Sequence, residues 1–342
     1  MLRSLRLPAL MALTACATGC VNDLPSDRPP AAARAAATAA PAPAHIAVLQ
    51  PGGLAFVDRY GRPEARATFG PLPAEPQVAA GAVYVLDAGG AVRRLSPAGG
   101  GAEVVATFPT APRAAAAAFA VSPDGGRVIA SLLGAAGHPR YVDLELGVAG
   151  GPATLLRRIP VARGATTAPR VVGWDGAGPV VLPDAAISAA PAVPGALWGG
   201  HPVHADLHGR LGPPLGDGTC SVSREQPEGD LICVAPVGSG MYAAGVYSEG
   251  ELLHRFAPVG ADPLLAPGEE RIAFAGDAGR TTVEGVDGHL TLLPAAAGVP
   301  VGWLDAGTVI GSRAGRLTSS PVSPAGPVAD LAVAGEVVGV IR

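Results

Sequence analysis

Beyond residue 44 the chain reads as short apolar runs, each closed by a turn residue. Val83-Tyr84-Val85-Leu86 stops at Asp87-Ala88-Gly89-Gly90, and Phe119-Ala120-Val121 stops at Ser122-Pro123-Asp124-Gly125. Runs of this length bounded by Gly, Pro and Asp predict β-strands. No helical period is sustained. Ala114 to Ala118 could propagate a helix by propensity, but it runs directly into Phe119-Ala120-Val121 and is taken as the start of a strand.

The runs recur. Ser122-Pro123-Asp124-Gly125-Gly126-Arg127-Val128-Ile129-Ala130 is echoed by Ala266-Pro267-Gly268-Glu269-Glu270-Arg271-Ile272-Ala273. Val172-Gly173-Trp174-Asp175 is echoed by Val301-Gly302-Trp303-Leu304-Asp305. Such echoes mark one small β unit used many times. Four-stranded units are predicted over residues 76–108, 115–160, 170–215, 219–256, 262–293 and 299–333. Residues 46–69 match only the last three strands of a unit. The missing inner strand is assigned to residues 337–341, which closes a ring and hides its free edges. The expected fold is an all-β, seven-bladed β-propeller over residues 45–342, with six or eight blades as the alternatives.

Composition adds a compartment. All 24 basic residues are Arg, Asn22 is the only Asn, and Gly and Pro number 48 and 36. This is the bias of a GC-rich bacterial genome, so the surplus Ala and Gly need not signal low complexity. A net charge of −4 argues against a nucleic-acid surface. Residues 1–15 carry Arg3 and Arg6 ahead of an apolar run too short to span a bilayer, as a signal peptide does. Leu13-Thr14-Ala15-Cys16 resembles the bacterial lipobox. That resemblance implies a diacylglycerol on Cys16, with Cys20 as the second candidate and plain secretion as the alternative. Residues 16–44 then form a lipidated cysteine and an Ala/Pro-rich tether with too little apolar mass to order itself. The expected location is the extracytoplasmic face of the cell membrane, held by the N-terminal lipid alone.

Cys220 and Cys233 flank a polar, turn-forming stretch. A hairpin centred between Gln226 and Pro227 sets them directly opposite. In an oxidising compartment such a pair is expected to form a disulfide. The alternative is two reduced, buried small residues.

The stretch Phe119-Ala120-Val121-Ser122-Pro123-Asp124-Gly125 is similar to the strand–turn pattern of WD-repeat and TolB-like β-propellers. Trp174-Asp175 follows a different strand from the one the WD repeat uses, so the resemblance is to the TolB-like group. It implies a fold, not an activity.

Candidate chemistry is sparse. His204, Asp206 and His208 alternate, so on a continuous strand they would face one way and could hold a metal. The competing reading makes Asp206-Leu207-His208-Gly209-Arg210 a hairpin turn like Asp58-Arg59-Tyr60-Gly61-Arg62, with Asp opening the turn and Gly supplying positive φ. The hairpin is preferred, and no metal or cofactor is assigned. Asp175, Asp184, Asp217, Glu225 and Asp305 could face a central channel but fit turns more simply. Neither a nucleophile elbow nor a phosphate loop occurs. The expectation is a monomeric module that binds an envelope protein or a small ligand, and not an enzyme. Leu197 and Trp198, in the insertion of residues 185–200, are the candidate contact surface. The alternative is a hydrolase or oxidoreductase with its site on the channel axis.

Overall fold

A computed structural model of the protein describes residues 44–135, 140–187, 201–215, 221–222, 231–238, 241–248, 251–276, 279–323 and 326–342. The chain opens with β1 (His45–Gln50), β2 (Gly53–Val57) and β3 (Pro63–Thr68). Blade 1 follows as β4 (Gln77–Ala79), β5 (Ala82–Leu86), β6 (Ala91–Leu95) and β7 (Glu103–Thr107). Blade 2 is β8 (Ala114–Val121), β9 (Arg127–Gly134), β10 (Arg140–Val148) and β11 (Thr154–Val161). Blade 3 is β12 (Thr167–Trp174), β13 (Pro179–Ala186), β14 (Val203–Ala205) and β15 (Leu211–Pro214). Blade 4 is β16 (Ser221–Val222), β17 (Leu231–Gly238), β18 (Met241–Ser248) and β19 (Glu251–Val259). Blade 5 is β20 (Ala261–Leu265), β21 (Arg271–Ala275), β22 (Thr281–Gly285) and β23 (Leu290–Leu292). Blade 6 is β24 (Val299–Asp305), β25 (Thr308–Arg313), β26 (Arg316–Pro321) and β27 (Ala329–Ala334). The last strand, β28 (Glu336–Ile341), returns to pair with β1 and completes blade 7 in the order β28-β1-β2-β3. The fold is therefore a seven-bladed, all-antiparallel β-propeller closed by its two chain ends, and the assignment of residues 337–341 to the first sheet is borne out.

Alternation explains why the ring holds. In a strand, successive side chains point to opposite faces. In a propeller each face of a blade meets a different neighbour, so both must be apolar. On β5, Tyr84 and Leu86 pack against blade 2, while Val83 and Val85 pack against blade 7. On β8, Phe119 and Val121 turn to blade 1, and Ala120 turns to blade 3. On β1, Ile46 and Val48 face blade 6 and Ala47 faces blade 1. Among the described residues there are seven such clusters, one between each blade and the next, and all five residues of β5 are buried. The core is thus a set of interfaces between sheets, and each blade is stable only while its neighbours cover it.

The echoed stretches build the same parts. The N–H groups of Ser122 and Ala266 donate the bond that opens an inner hairpin, to the carbonyls of Arg127 and Arg271 at 2.9 and 2.8 Å. Trp174 ends the inner strand β12, and Trp303 lies two residues before the end of the inner strand β24. Trp303 is buried, and its Nε1 donates to the Leu264 carbonyl of blade 5 at 2.9 Å.

Strand direction divides the ring into two rims. The inner strands begin at the upper rim, where the links between blades also lie. At the lower rim, inner strands turn back and outer hairpins close.

Candidate functional site

A cleft opens on the upper rim of blades 1 to 3. Its cause is the alanine run of β8. With no side chain longer than a methyl from Ala114 to Ala118, the inner strand of blade 2 leaves room for groups reaching over from β4 and β12. Glu75, just ahead of β4, joins Gln77 and Arg170 in lining a small polar recess open to solvent. Beside it lies a small, mainly apolar recess between blades 2 and 3, formed by Ala117, Leu133, Ala168, Pro169, Ala185 and Ile187. Ala118 and Arg170 line both, so the two recesses meet at these residues.

Burial pulls the Arg170 guanidinium below the usual arginine range, and the Glu75 carboxylate acts in the opposite direction. The Ser131 hydroxyl, on the recess wall, accepts the Val171 N–H at 3.0 Å, so its oxygen is already engaged. The arrangement combines a small apolar hollow with a partly desolvated arginine and a carboxylate. It is equipped for recognition: a planar fork of donors fixes orientation and the hollow takes an apolar group.

The alternating His204, Asp206 and His208 separate. Strand β14 ends at Ala205, so the alternation does not continue to His208. His204 Nε2 sits 2.7 Å from Asp175 Oδ2, whose side chain is fully buried, while Asp175 Oδ1 accepts the N–H groups of Ala177 and Gly178 at 2.9 and 3.0 Å. Asp206 Oδ1 accepts the N–H groups of His208 and Arg210, each at 2.8 Å. Those backbone donors hold its carboxyl below the usual range. Asp58 holds Tyr60 and Arg62 in the same way at the same distances, so the likeness of the two hairpins is real. Both turns need glycine. Gly61 and Gly209 have φ of +78° and +76°, and a Cβ on either would collide with the preceding blade, at Ala332 N (2.6 Å) or Arg157 Cβ (2.7 Å).

The channel-facing acids also resolve. Asp175 and Asp305 are turn residues of inner hairpins. Asp305 accepts from Gly307 N–H at 3.0 Å and from Arg59 Nη2 at 3.3 Å. Asp184 is exposed on β13, and Asp217 and Glu225 lie outside the described residues.

One geometric expectation is corrected. In the hairpin of β16 and β17, Val222 stands opposite Cys233 and Ser221 opposite Val234, so Cys220 is not the residue facing Cys233. The hairpin centre lies one residue later than expected. A register that slips by two residues keeps every side chain on the same face, so hydrophobic alternation cannot distinguish the two. Cys233 is buried, and Cys220 itself lies outside the described residues. So do Leu197, Trp198 and Cys16.

No sequence motif singles out Glu75, Gln77 and Arg170. They come from blades 1 and 3 and meet only across blade 2. The one local signal is Arg170, a charge within the otherwise uncharged stretch of β12.

No protein-family model matches this chain, and no curated protein matches it. Among solved structures it is similar to a protein assigned as a TolB from Agrobacterium tumefaciens, at 16% identity over 73% of this chain and 87% of that one, with a TM-score of 0.42. It is also similar to the hydrazine synthase of Kuenenia stuttgartiensis, at 14% identity over 75% of this chain and 78% of that one, with a TM-score of 0.38.

Proposed function

We propose that the protein is exported, anchored to the outer face of the membrane by a lipid on Cys16, and works by binding a partner on the upper rim of its propeller. The observation that carries the binding reading is the cleft at Arg170, where an apolar hollow and a paired charge share one wall. Loops at the ends of a rigid ring can change without disturbing the interfaces between blades, which suits recognition. Anchoring rests on Arg3, Arg6 and the apolar run before Leu13-Thr14-Ala15-Cys16. No helix among the described residues is long and apolar enough to cross a membrane. A Cys220–Cys233 bond belongs to this reading through the oxidising compartment, no longer through direct opposition.

Anchoring predicts that Cys16→Ser moves the protein from the membrane fraction to the soluble envelope or the medium. Release by Cys20→Ser alone would reassign the lipid, and release by neither would remove it. Binding is tested in the native envelope with a photo-crosslinking residue placed at Ala186 on the upper rim or at Leu207 on the lower rim. A discrete adduct from Ala186, absent from Leu207, is the expected result. Adducts from Leu207 alone would place the binding surface on the other rim.

A further inference from the structure

Arginines gather at the rim that carries the cleft. Register puts the start of β8 beside the end of β9 (Ala114 opposite Gly134) and the start of β10 beside the end of β11 (Arg140 opposite Val161). Arg113 directly precedes β8, Arg140 opens β10, and Arg163 lies two residues past β11. Arg113 and Arg163 are exposed and Arg140 is half-buried. Arg170 lies in the cleft itself. The acids at this end are largely engaged. Asp87 bonds Arg93 at 2.7 Å, Glu75 acts on Arg170, and the buried Glu145 accepts the Thr110 hydroxyl at 2.6 Å. Asp184 is the exposed acid among the described residues here. A chain of net charge −4 therefore presents a cationic sector around its apolar recess.

We propose that this sector receives an acidic segment of a partner protein, with one small apolar side chain seated in the recess and flanking carboxylates on Arg113, Arg140 and Arg163. This deepens the binding reading above and rests on it. Charge complementarity selects the acid, because exposed arginines steer and orient carboxylates. The alanine walls select the anchor, because they leave a hollow for a small apolar group and no room for a large one. An anionic bilayer is the weaker occupant. Insertion into lipid needs apolar side chains that protrude, and the apolar groups here line a depression.

The test uses the full chain in detergent micelles and a fluorescein-labelled peptide, Glu-Glu-Val-Glu-Glu, followed by anisotropy. Saturable binding that weakens with salt is expected. A peptide with Ser in place of Val should bind measurably less. Arg113→Ser and Arg163→Ser should each lower affinity about twofold to fivefold, the worth of an exposed ion pair. Ala186→Trp, at an exposed position lining the recess, should abolish the preference for Val. Arg62→Ser, on the lower rim, should change nothing. Equal binding of the Val and Ser peptides, or of wild type and Ala186→Trp, overturns the recess as anchor. Absence of peptide binding while Ala186 still yields its discrete adduct overturns the acidic partner and leaves the binding reading standing. Loss of both removes that reading too. Binding to phosphatidylglycerol vesicles that depends on Arg113 and Arg163 and is not displaced by the peptide assigns the sector to the membrane.

Discussion

Deleting residues 336–342 will leave blade 7 with three strands and turn a closed ring into an open array. Strand β28 serves two interfaces at once. Val337 packs into the cluster shared with blade 6, and Ile341 into the cluster shared with blade 1, both nearly fully buried. Arg342 adds a bond from Nη2 to the Trp303 carbonyl at 3.0 Å. Burying one large aliphatic side chain contributes about 1.5–3 kcal/mol. With the half-buried Val338 and Val340, the loss is about 5 kcal/mol or more, against a net stability of about 5–15 kcal/mol for a folded domain. The deletion also strips the ladder from one edge of β1, which invites pairing with another chain. The expected result is aggregation or a fall in Tm of roughly 10 °C or more, measured by calorimetry and light scattering. Deletion of Arg342 alone should cost far less. A truncated protein that melts like wild type would show that β28 does not hold the ring.

Trp303→Ala is expected to destabilise the protein by about 3–5 kcal/mol, as other buried Trp→Ala changes do. The indole packs with Leu264, Ala273 and Leu293 of blade 5 and is about 2% exposed. Its removal leaves a cavity between blades 5 and 6 and strips the Leu264 carbonyl of its side-chain donor. Trp303→Phe keeps most of the volume and loses the donor, so it should cost about 1–2 kcal/mol less than the alanine change, with the hydrogen bond itself worth about 1 kcal/mol. Urea unfolding of the two variants separates packing from hydrogen bonding. Equal midpoints for Trp303→Phe and Trp303→Ala would show that the hydrogen bond, and not the packing, carries the residue's effect.

Most of the blades were legible because the features that define them are local. The four-stranded unit predicted over residues 76–108 holds β4, β5, β6 and β7, which run from Gln77 to Thr107, and the run Val83–Leu86 falls within β5. A turn such as Asp58-Arg59-Tyr60-Gly61-Arg62 announces itself because its carboxylate must cap nearby N–H groups and its glycine must take positive φ. Val337–Ile341 was legible by subtraction, since the three strands at the start of the propeller lacked an inner partner.

Register and sites were harder for two different reasons. The cysteine hairpin slipped by two residues, a shift to which alternation is blind. Spacing alone groups His204 with Asp206 and His208. Its partner is Asp175, on the turn of the β12–β13 hairpin, whose second strand pairs with β14 in the same sheet.

The sequence by itself determined the repeating unit and the strand that closes the ring, and it favoured seven blades while leaving six or eight open; the seven sheets of the tertiary structure decided the count. Strand length, turn chemistry and two-sided apolar alternation are properties of a few consecutive residues, and repetition multiplies their signal. Only the tertiary structure decided that Glu75 and Arg170, 95 positions apart, share a wall, that the alanines of β8 make room between them, and that the arginines of three connections stand on one rim. A ring brings together residues a whole blade apart, and the contact between them leaves no spacing in the chain by which it could be read.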